Sequence, residues 1–222
     1  MAKNENTRLP NLHSLYLARS GYGKSQTLIR RSGIKPTGER VIYWDTNKDH
    51  IRYGNKRNAT PYDTAGAFFS ALMSCVASGK GYRIAYTGQS DPDLFEDVCA
   101  AVWDVLDGRH ITRFVVEEYG AACEGAGPIQ IKRHPFHKRL WQEGRKYGLI
   151  WDATSQRPQS ISKDAVENAG VIWAGNMGLN AAKRVAQEID LRPDDLRALN
   201  VGEFYRWEPS ANAEKIKVFQ PK

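Results

Sequence analysis

Ser14-Leu-Tyr-Leu-Ala-Arg-Ser-Gly-Tyr-Gly-Lys-Ser-Gln26 decides the reading of this chain. Leu15, Tyr16 and Leu17 form an apolar run of strand character. It breaks into Ser20-Gly21-Tyr22-Gly23-Lys24-Ser25 and passes at once into a helix-like stretch, Gln26 to Arg31. Strand, glycine loop, Lys-Ser and helix is the order that phosphate binding requires. The glycines let backbone N–H groups converge on phosphate oxygens, and the helix N-terminus adds its positive dipole end. Lys24 is placed to reach the β- and γ-phosphates and the Ser25 hydroxyl to bind Mg²⁺. Ser20, Gly21, Tyr22, Gly23, Lys24, Ser25 and Gln26 are therefore the nucleotide-binding candidates. The usual pattern, G-x-x-x-x-G-K-[ST], begins with Gly where this chain has Ala18, and Gly21 takes the fourth place. Alanine enters positive φ only at a cost, so the start of the loop is expected to differ.

A length of 222 residues predicts a flexible arm over residues 1–11 and one α/β domain over residues 12–222. Hydrophobic content of 41% and charged content of 26% are ordinary for a globular protein. No stretch is long and apolar enough to span a membrane, and the N-terminus lacks the apolar core of a signal peptide. Cys75, Cys99 and Cys123 are widely spaced, without a C-x-x-C pair, which argues for reduced thiols in a cytosolic compartment. The net charge of +7 fits a polyanionic partner.

Outward from the loop, Val41 to Asp45, Tyr82 to Tyr86, Ile111 to Val116, Leu149 to Asp152 and Val171 to Ala174 read as buried strands. Helical patterns over 64–77, 94–106, 135–147, 160–169 and 179–189 separate or follow them, while 50–63 is polar, basic and turn-rich. Segments 202–207 and 215–219 read as a terminal hairpin. This alternation predicts an α/β fold with a mostly parallel central sheet, helices on both faces and a C-terminal hairpin. Ligands then sit at the C-terminal ends of the strands.

Two more groups fall at such ends. Phe114-Val-Val-Glu117-Glu118 finishes a strand with two acids: Glu117 is the candidate for the metal sphere, through water, and Glu118 for the general base. Asp152-Ala-Thr-Ser-Gln156-Arg157-Pro158 places an amide and a guanidinium at the next strand end. There Gln156 can bond the γ-phosphate or the attacking water, and Arg157 can offset transition-state charge. Asp45 ends a strand in the same way, with its role left open.

Gly21-Tyr-Gly-Lys-Ser25, Val115-Val-Glu-Glu118 and Thr154-Ser-Gln-Arg-Pro158, in that order, resemble the FtsK–HerA superfamily of DNA-pumping P-loop ATPases. The small size is most similar to the genome-packaging ATPases of membrane-containing, double-jelly-roll viruses. The resemblance implies a RecA/FtsK–HerA-like P-loop fold and ATP hydrolysis with Mg²⁺. It also implies translocation of double-stranded DNA by a homo-oligomeric ring, often a hexamer, with ATP between subunits. Lys24 and Ser25 match the P-loop pair, Glu117 and Glu118 the acids, and Gln156 the polar sensor. Arg157 is the first choice for the arginine finger, with Arg83 and Arg113 as alternatives. A capsid or membrane-vertex protein is the expected partner, and the expected place is the host cytoplasm or the packaging vertex of a virion.

DNA has an obvious candidate contact in residues 132–146, where six Lys/Arg stand against one Glu, interleaved with Phe136 and Trp141. Lys132, Arg133, Lys138 and Arg139 are its phosphate-binding candidates; the alternative is the solvated face of an amphipathic helix. His134 and His137, with Cys123, form an incomplete metal pattern. A plasmid-transfer or extrusion motor, a small-molecule kinase and a non-hydrolysing assembly protein are the competing readings. A kinase has no need of the Gln-Arg-Pro signature or the basic stretch, and both acids argue against the last.

Overall fold

In the computed structural model, Leu15, Tyr16 and Val41 to Tyr43 are wholly inaccessible to solvent, as strands covered on both sides of a parallel sheet should be. The structure describes residues 3–123 and 125–220. The first two residues of the expected arm and the last two of the expected domain lie outside the described residues. The strands, in chain order, are β1 (Ser14–Leu17), β2 (Arg40–Trp44), β3 (Arg52–Tyr53), β4 (Lys56–Arg57), β5 (Thr60–Tyr62), β6 (Tyr82–Tyr86), β7 (Thr112–Val116), β8 (Leu149–Ser155), β9 (Val171–Ala174), β10 (Glu203–Glu208) and β11 (Ala211–Lys217). The helices are α1 (Lys24–Arg31), α2 (Ala65–Ala77), α3 (Pro92–Val105), α4 (Tyr119–Ala122), α5 (Pro135–Glu143), α6 (Lys163–Asn168), α7 (Leu179–Glu188) and α8 (Pro193–Arg197).

The pattern reads as one domain, whereas the contacts divide the chain into two compact units. The first takes in the N-terminal residues up to Pro10, Ile34–Glu117 and Ile129–Trp151; the second takes in Asn11–Gly33, Glu118–Pro128 and the chain from Asp152. Strand β8 begins in the first and ends in the second.

In the first unit β2 lies between β7 and β6, parallel to both, and β5 adds parallel to β6 at the edge. Packed aromatics hold this half together: Trp44 stacks on Tyr86 at 4.8 Å, Trp141 on Trp151 at 4.6 Å, and Phe114 meets Trp151 at 4.8 Å. Helix α3 starts on the Asp91 cap, whose carboxylate accepts the Leu94 N–H. Glu96 on α3 accepts the N–H groups of Phe136 and His137, so it caps α5 from outside. The arm expected to be loose is held here: Asn4 N–H bonds the Asp107 carbonyl at 3.0 Å, Asn6 N–H that of Lys146 at 2.8 Å, and Lys3 lies over the Trp103 ring.

In the second unit β1 is parallel to β8 and to β9, with Leu15 opposite Ala153 and Ile172. The antiparallel hairpin β10–β11 continues from β9. Helix α1 follows β1 through the glycine loop.

Boundaries differ from the sequence pattern where side chains intervene. The helix read over 135–147 ends as α at Glu143 and tightens into a 3₁₀ turn, Gly144–Tyr147; a Cβ on Gly144 would lie 2.5 Å from the Leu149 side chain. The helix read over 160–169 starts only at Lys163, because Ser162 caps it by accepting the Ala165 N–H. The turn-rich stretch 50–63 hides the β3–β4 ribbon and edge strand β5, which tolerates Pro61 because it is an edge.

Candidate functional site

Positive φ falls at Gly21 (78°) and Gly23 (94°), and not at Ala18. Alanine is therefore tolerated at the first position: its backbone needs no left-handed turn, and its methyl packs at Gly175, where an added Cβ would lie 2.9 Å away. Gly23 has no substitute. It needs its left-handed turn, and a Cβ there would collide with the Phe219 ring, which leaves the β11 ladder and lies over the loop. Thr27 N–H closes the first bond of α1 on the Gly23 carbonyl at 2.8 Å, and no side chain caps the helix. A helix N-terminus without a side-chain cap is a setting suited to phosphate oxygens.

Lys24, on that first turn, is 7% exposed, and its Nζ stands 3.5 Å from Glu118 Oε1. Glu118 is held from three sides. Its own N–H donates to Thr154 Oγ1 at 3.2 Å. The Gln156 side-chain amide donates to its Oε1 at 2.5 Å, and the Gln156 backbone N–H to its Oε2 at 3.2 Å. Its φ is +50°, a left-handed conformation rare for a non-glycine residue and kept only where the surroundings enforce it. Lys24, Glu118 and Gln156, far apart in the chain, therefore converge within the second unit. Arg157 follows with an exposed side chain, its N–H donating to Ser155 Oγ. Ser25 is half-buried on the first turn of α1. Tyr22 lies against the Arg19 guanidinium, 4.2 Å from ring centroid to Cζ.

Glu117, at the end of β7 in the first unit, is buried and differently engaged. Its Oε2 is 2.8 Å from His50 Nε2, and His50 Nδ1 is 2.8 Å from the Tyr53 hydroxyl. Asp45 accepts the N–H groups of Asp49 and His50 and so folds residues 45–50 into a tight turn. Burial opposes charge on the His50 ring, but the Glu117 hydrogen bond, with the charges of Glu117, Asp45 and Asp49, outweighs it and lifts its pKa above the ordinary value. Burial pushes the Asp45 carboxyl up, against the pull of His50 and the two N–H donors. His50 has no periodic or motif signal in the sequence; its only trace is its position five residues beyond a strand-terminal aspartate.

The other candidates have surroundings of their own. Lys132, Arg133, Lys138 and Arg139 belong to the first unit, on and before α5. Arg139 pairs with Glu143 at 3.0 Å and lies over Trp103, and Arg133 is 3.9 Å from Asp93. Arg113 is buried, 3.8 Å from Glu39, and Arg83 bonds Asn58 and the Lys35 carbonyl. His137 is buried edge-on to Phe95, and burial together with the charge of His134 pushes its pKa down to about 3. Burial pushes the Cys123 thiol up to about 11.

The fold is that of a P-loop NTPase: a mostly parallel α/β sheet with a glycine loop between its strand β1 and helix α1. No family model matches the sequence. The chain is 27% identical over 192 residues to Protein P9 of Pseudoalteromonas phage PM2, covering 86% of this chain and 81% of that protein. Among solved structures it is similar to the genome packaging NTPase B204 from Sulfolobus turreted icosahedral virus 2 in complex with AMPPCP. That match has a TM-score of 0.72 at 15% identity and covers 96% of this chain and 100% of the other. VirB4 of Thermoanaerobacter pseudethanolicus aligns with a TM-score of 0.62 at 14% identity, over 96% and 91% of the two chains. At these identities the likeness establishes the fold. Genome packaging NTPases, the group that the sequence motifs resemble, are thus among the solved structures that share this fold.

Proposed function

We propose that this chain is an ATPase that hydrolyses ATP with Mg²⁺ and uses the energy to move double-stranded DNA, in viral genome packaging. The observation that carries this reading is the convergence of Lys24, Glu118 and Gln156 beside an uncapped helix N-terminus. The likeness to a genome packaging NTPase solved with AMPPCP and with ATP-γS supports it.

The residues fit the nucleotide. A helix N-terminus without a side-chain cap and a buried ammonium suit phosphate oxygens, and Mg²⁺ takes most of its ligands from phosphates and water, so the Ser25 hydroxyl is the ligand this unit would supply. Bound Mg-ATP supplies the scissile anhydride and a cation that offsets phosphate charge. The backbone of residues 20–26 cradles the phosphates and Lys24 draws charge from the β- and γ-oxygens. Glu118 accepts the proton of the attacking water. Gln156, already on the Glu118 carboxylate, orients that water or the γ-phosphate. Arg157, exposed, reaches the site of a neighbouring subunit, and the working form is a ring, a hexamer by the resemblance. Among the described residues no helix is long and apolar enough to cross a membrane; docking to a capsid or membrane-vertex protein, in the host cytoplasm or on the virion, completes the reading.

Steady-state ATP turnover with and without duplex DNA tests it. The parent should be stimulated by duplex. Glu118→Gln should lose about 10²- to 10⁴-fold in turnover, the usual worth of a general base, while still binding a fluorescent ATP analogue. Turnover indifferent to DNA would remove the motor, and full activity in the variant would remove the assigned base.

A further inference from the structure

We propose that the β3–β4 ribbon, together with Lys48 before it, is a contact surface for the sugar–phosphate backbone of duplex nucleic acid. This rests on the DNA-motor reading above and names where the polyanion meets the chain.

Residues 48–58 carry Lys48, Arg52, Lys56 and Arg57 against a single acid, Asp49. All four basic residues are exposed, and among the described residues none has a carboxylate partner within salt-bridge distance. The bonds that Arg52 and Arg57 do make go to carbonyls of their own segment, Asn55 at 3.0 Å and Ala59 at 3.4 Å, which orient the guanidinium groups without neutralising them. The strand register sets Arg52 directly opposite Arg57. A like-charge pair across a two-stranded ladder costs stability, and two residues per strand offer little to offset it. An anion seated over the pair removes that cost. The basic stretch at 132–146 differs: Arg133, Arg139 and Lys146 face Asp93, Glu143 and Glu5, and Arg145 is bonded to the Thr7 carbonyl.

The ribbon is also rigidly rooted. Tyr53 on β3 bonds His50, which bonds Glu117 at the end of β7, and Asn58 after β4 donates to the His50 carbonyl and to the Tyr43 hydroxyl. A load on the ribbon is thus passed through two hydrogen bonds to one of the two strand-end acids. A two-stranded ribbon is narrow enough to enter a major groove, and its exposed cations suit backbone contacts that carry no sequence preference.

The test is equilibrium binding of a labelled random-sequence DNA duplex across about 50–200 mM salt, the range over which phosphate neutralisation is read. The full chain is compared with Arg52→Gln/Lys56→Gln/Arg57→Gln and with Lys132→Gln/Arg133→Gln/Lys138→Gln/Arg139→Gln. The ribbon variant should bind roughly tenfold more weakly or worse, with a salt slope shallower by about 0.9 for each phosphate no longer neutralised. Its melting temperature should equal or exceed the parent's, since a like-charge pair is gone. Lys56→Gln alone, at the tip, should show the same change in slope on a smaller scale and stands in if the triple variant does not fold. Parental affinity and slope in the ribbon variants, with duplex binding intact in the parent, would overturn the ribbon assignment and leave the motor reading standing. Weakened binding confined to the 132–139 variant would overturn it too. Failure of the parent itself to bind duplex would overturn both.

Discussion

Asp107 shows how a single side chain in this protein keeps its charge against burial. It accepts the backbone N–H groups of Arg109 and His110, the His110 ring nitrogen at 2.8 Å and the Arg40 guanidinium at 3.0 Å. Burial works to raise its pKa, but the bonds from His110, Arg109 and Arg40 outweigh this and hold it well below the ordinary carboxylate range. A carboxyl depressed in the folded state stabilises fully above its unfolded pKa near about 4 and loses that contribution as pH falls toward its folded value. Asp107→Asn should therefore cost about 2 kcal/mol at pH 7, the scale of hydrogen bonds to a charged group. The gap between variant and parent should narrow toward about pH 3, as read from urea midpoints at the two pH values. Glu118 is the counterpart in the second unit: its left-handed backbone is held by bonds to Thr154 and Gln156. That Glu118 and Gln156 follow strands, and that Lys24 opens the helix after the glycine loop, was legible from residue types along the chain. That Glu117 bonds His50 was not, because nothing local links residues 50 and 117.

At the scale of elements, the β1–loop–α1 unit depends on one glycine. Gly23→Ala places a left-handed alanine, which costs about 1–2 kcal/mol, and drives a methyl into the Phe219 ring. The variant should melt lower than the parent and bind an ATP analogue at least tenfold more weakly. Adding Phe219→Ala should recover part of the melting temperature by removing the collision, with nucleotide affinity still reduced, because the backbone strain remains. The strands of the parallel part and the hairpin were readable except β5, whose three residues include a proline and make no apolar run. The β3–β4 ribbon escaped for a similar reason: with two residues per strand it has no period to detect. Helix lengths were overestimated where Gly144 and Ser162 stop or start a turn through tertiary contacts and capping.

At the scale of the whole molecule, the proposed ring makes each site depend on two chains. Arg157→Ala should lower turnover on the order of 10³-fold, the range for an arginine finger, without loss of analogue binding. Mixing it with Glu118→Gln chains should restore part of the activity, since the interface that joins an intact Glu118 to an intact Arg157 then exists. Activity no greater than the sum of the separate variants would mean that Arg157 acts within its own chain. The basic excess of the chain belongs to this scale as well, but its distribution matters more than its sum. Much of it on 132–146 is paired at home, while the ribbon is left with uncompensated charge.

The sequence by itself determined the glycine loop with Lys24 and Ser25, the alternation that makes the sheet mostly parallel, and the placement of acids and amide at strand ends. Each of these follows from local chemistry: side-chain size at a turn, apolar runs, and the residue that follows a buried strand. Only the tertiary structure decided that Glu118 sits on Lys24 and Gln156, that Glu117 is held by His50, that Phe219 covers Gly23, and which basic residues are paired. The contacts of Glu118, of Glu117 and of Gly23 join residues from 38 to 196 positions apart. A pattern read along the chain holds no record of such distances. They are set by which strand pairs with which, and by the burial that makes a buried polar group find a partner.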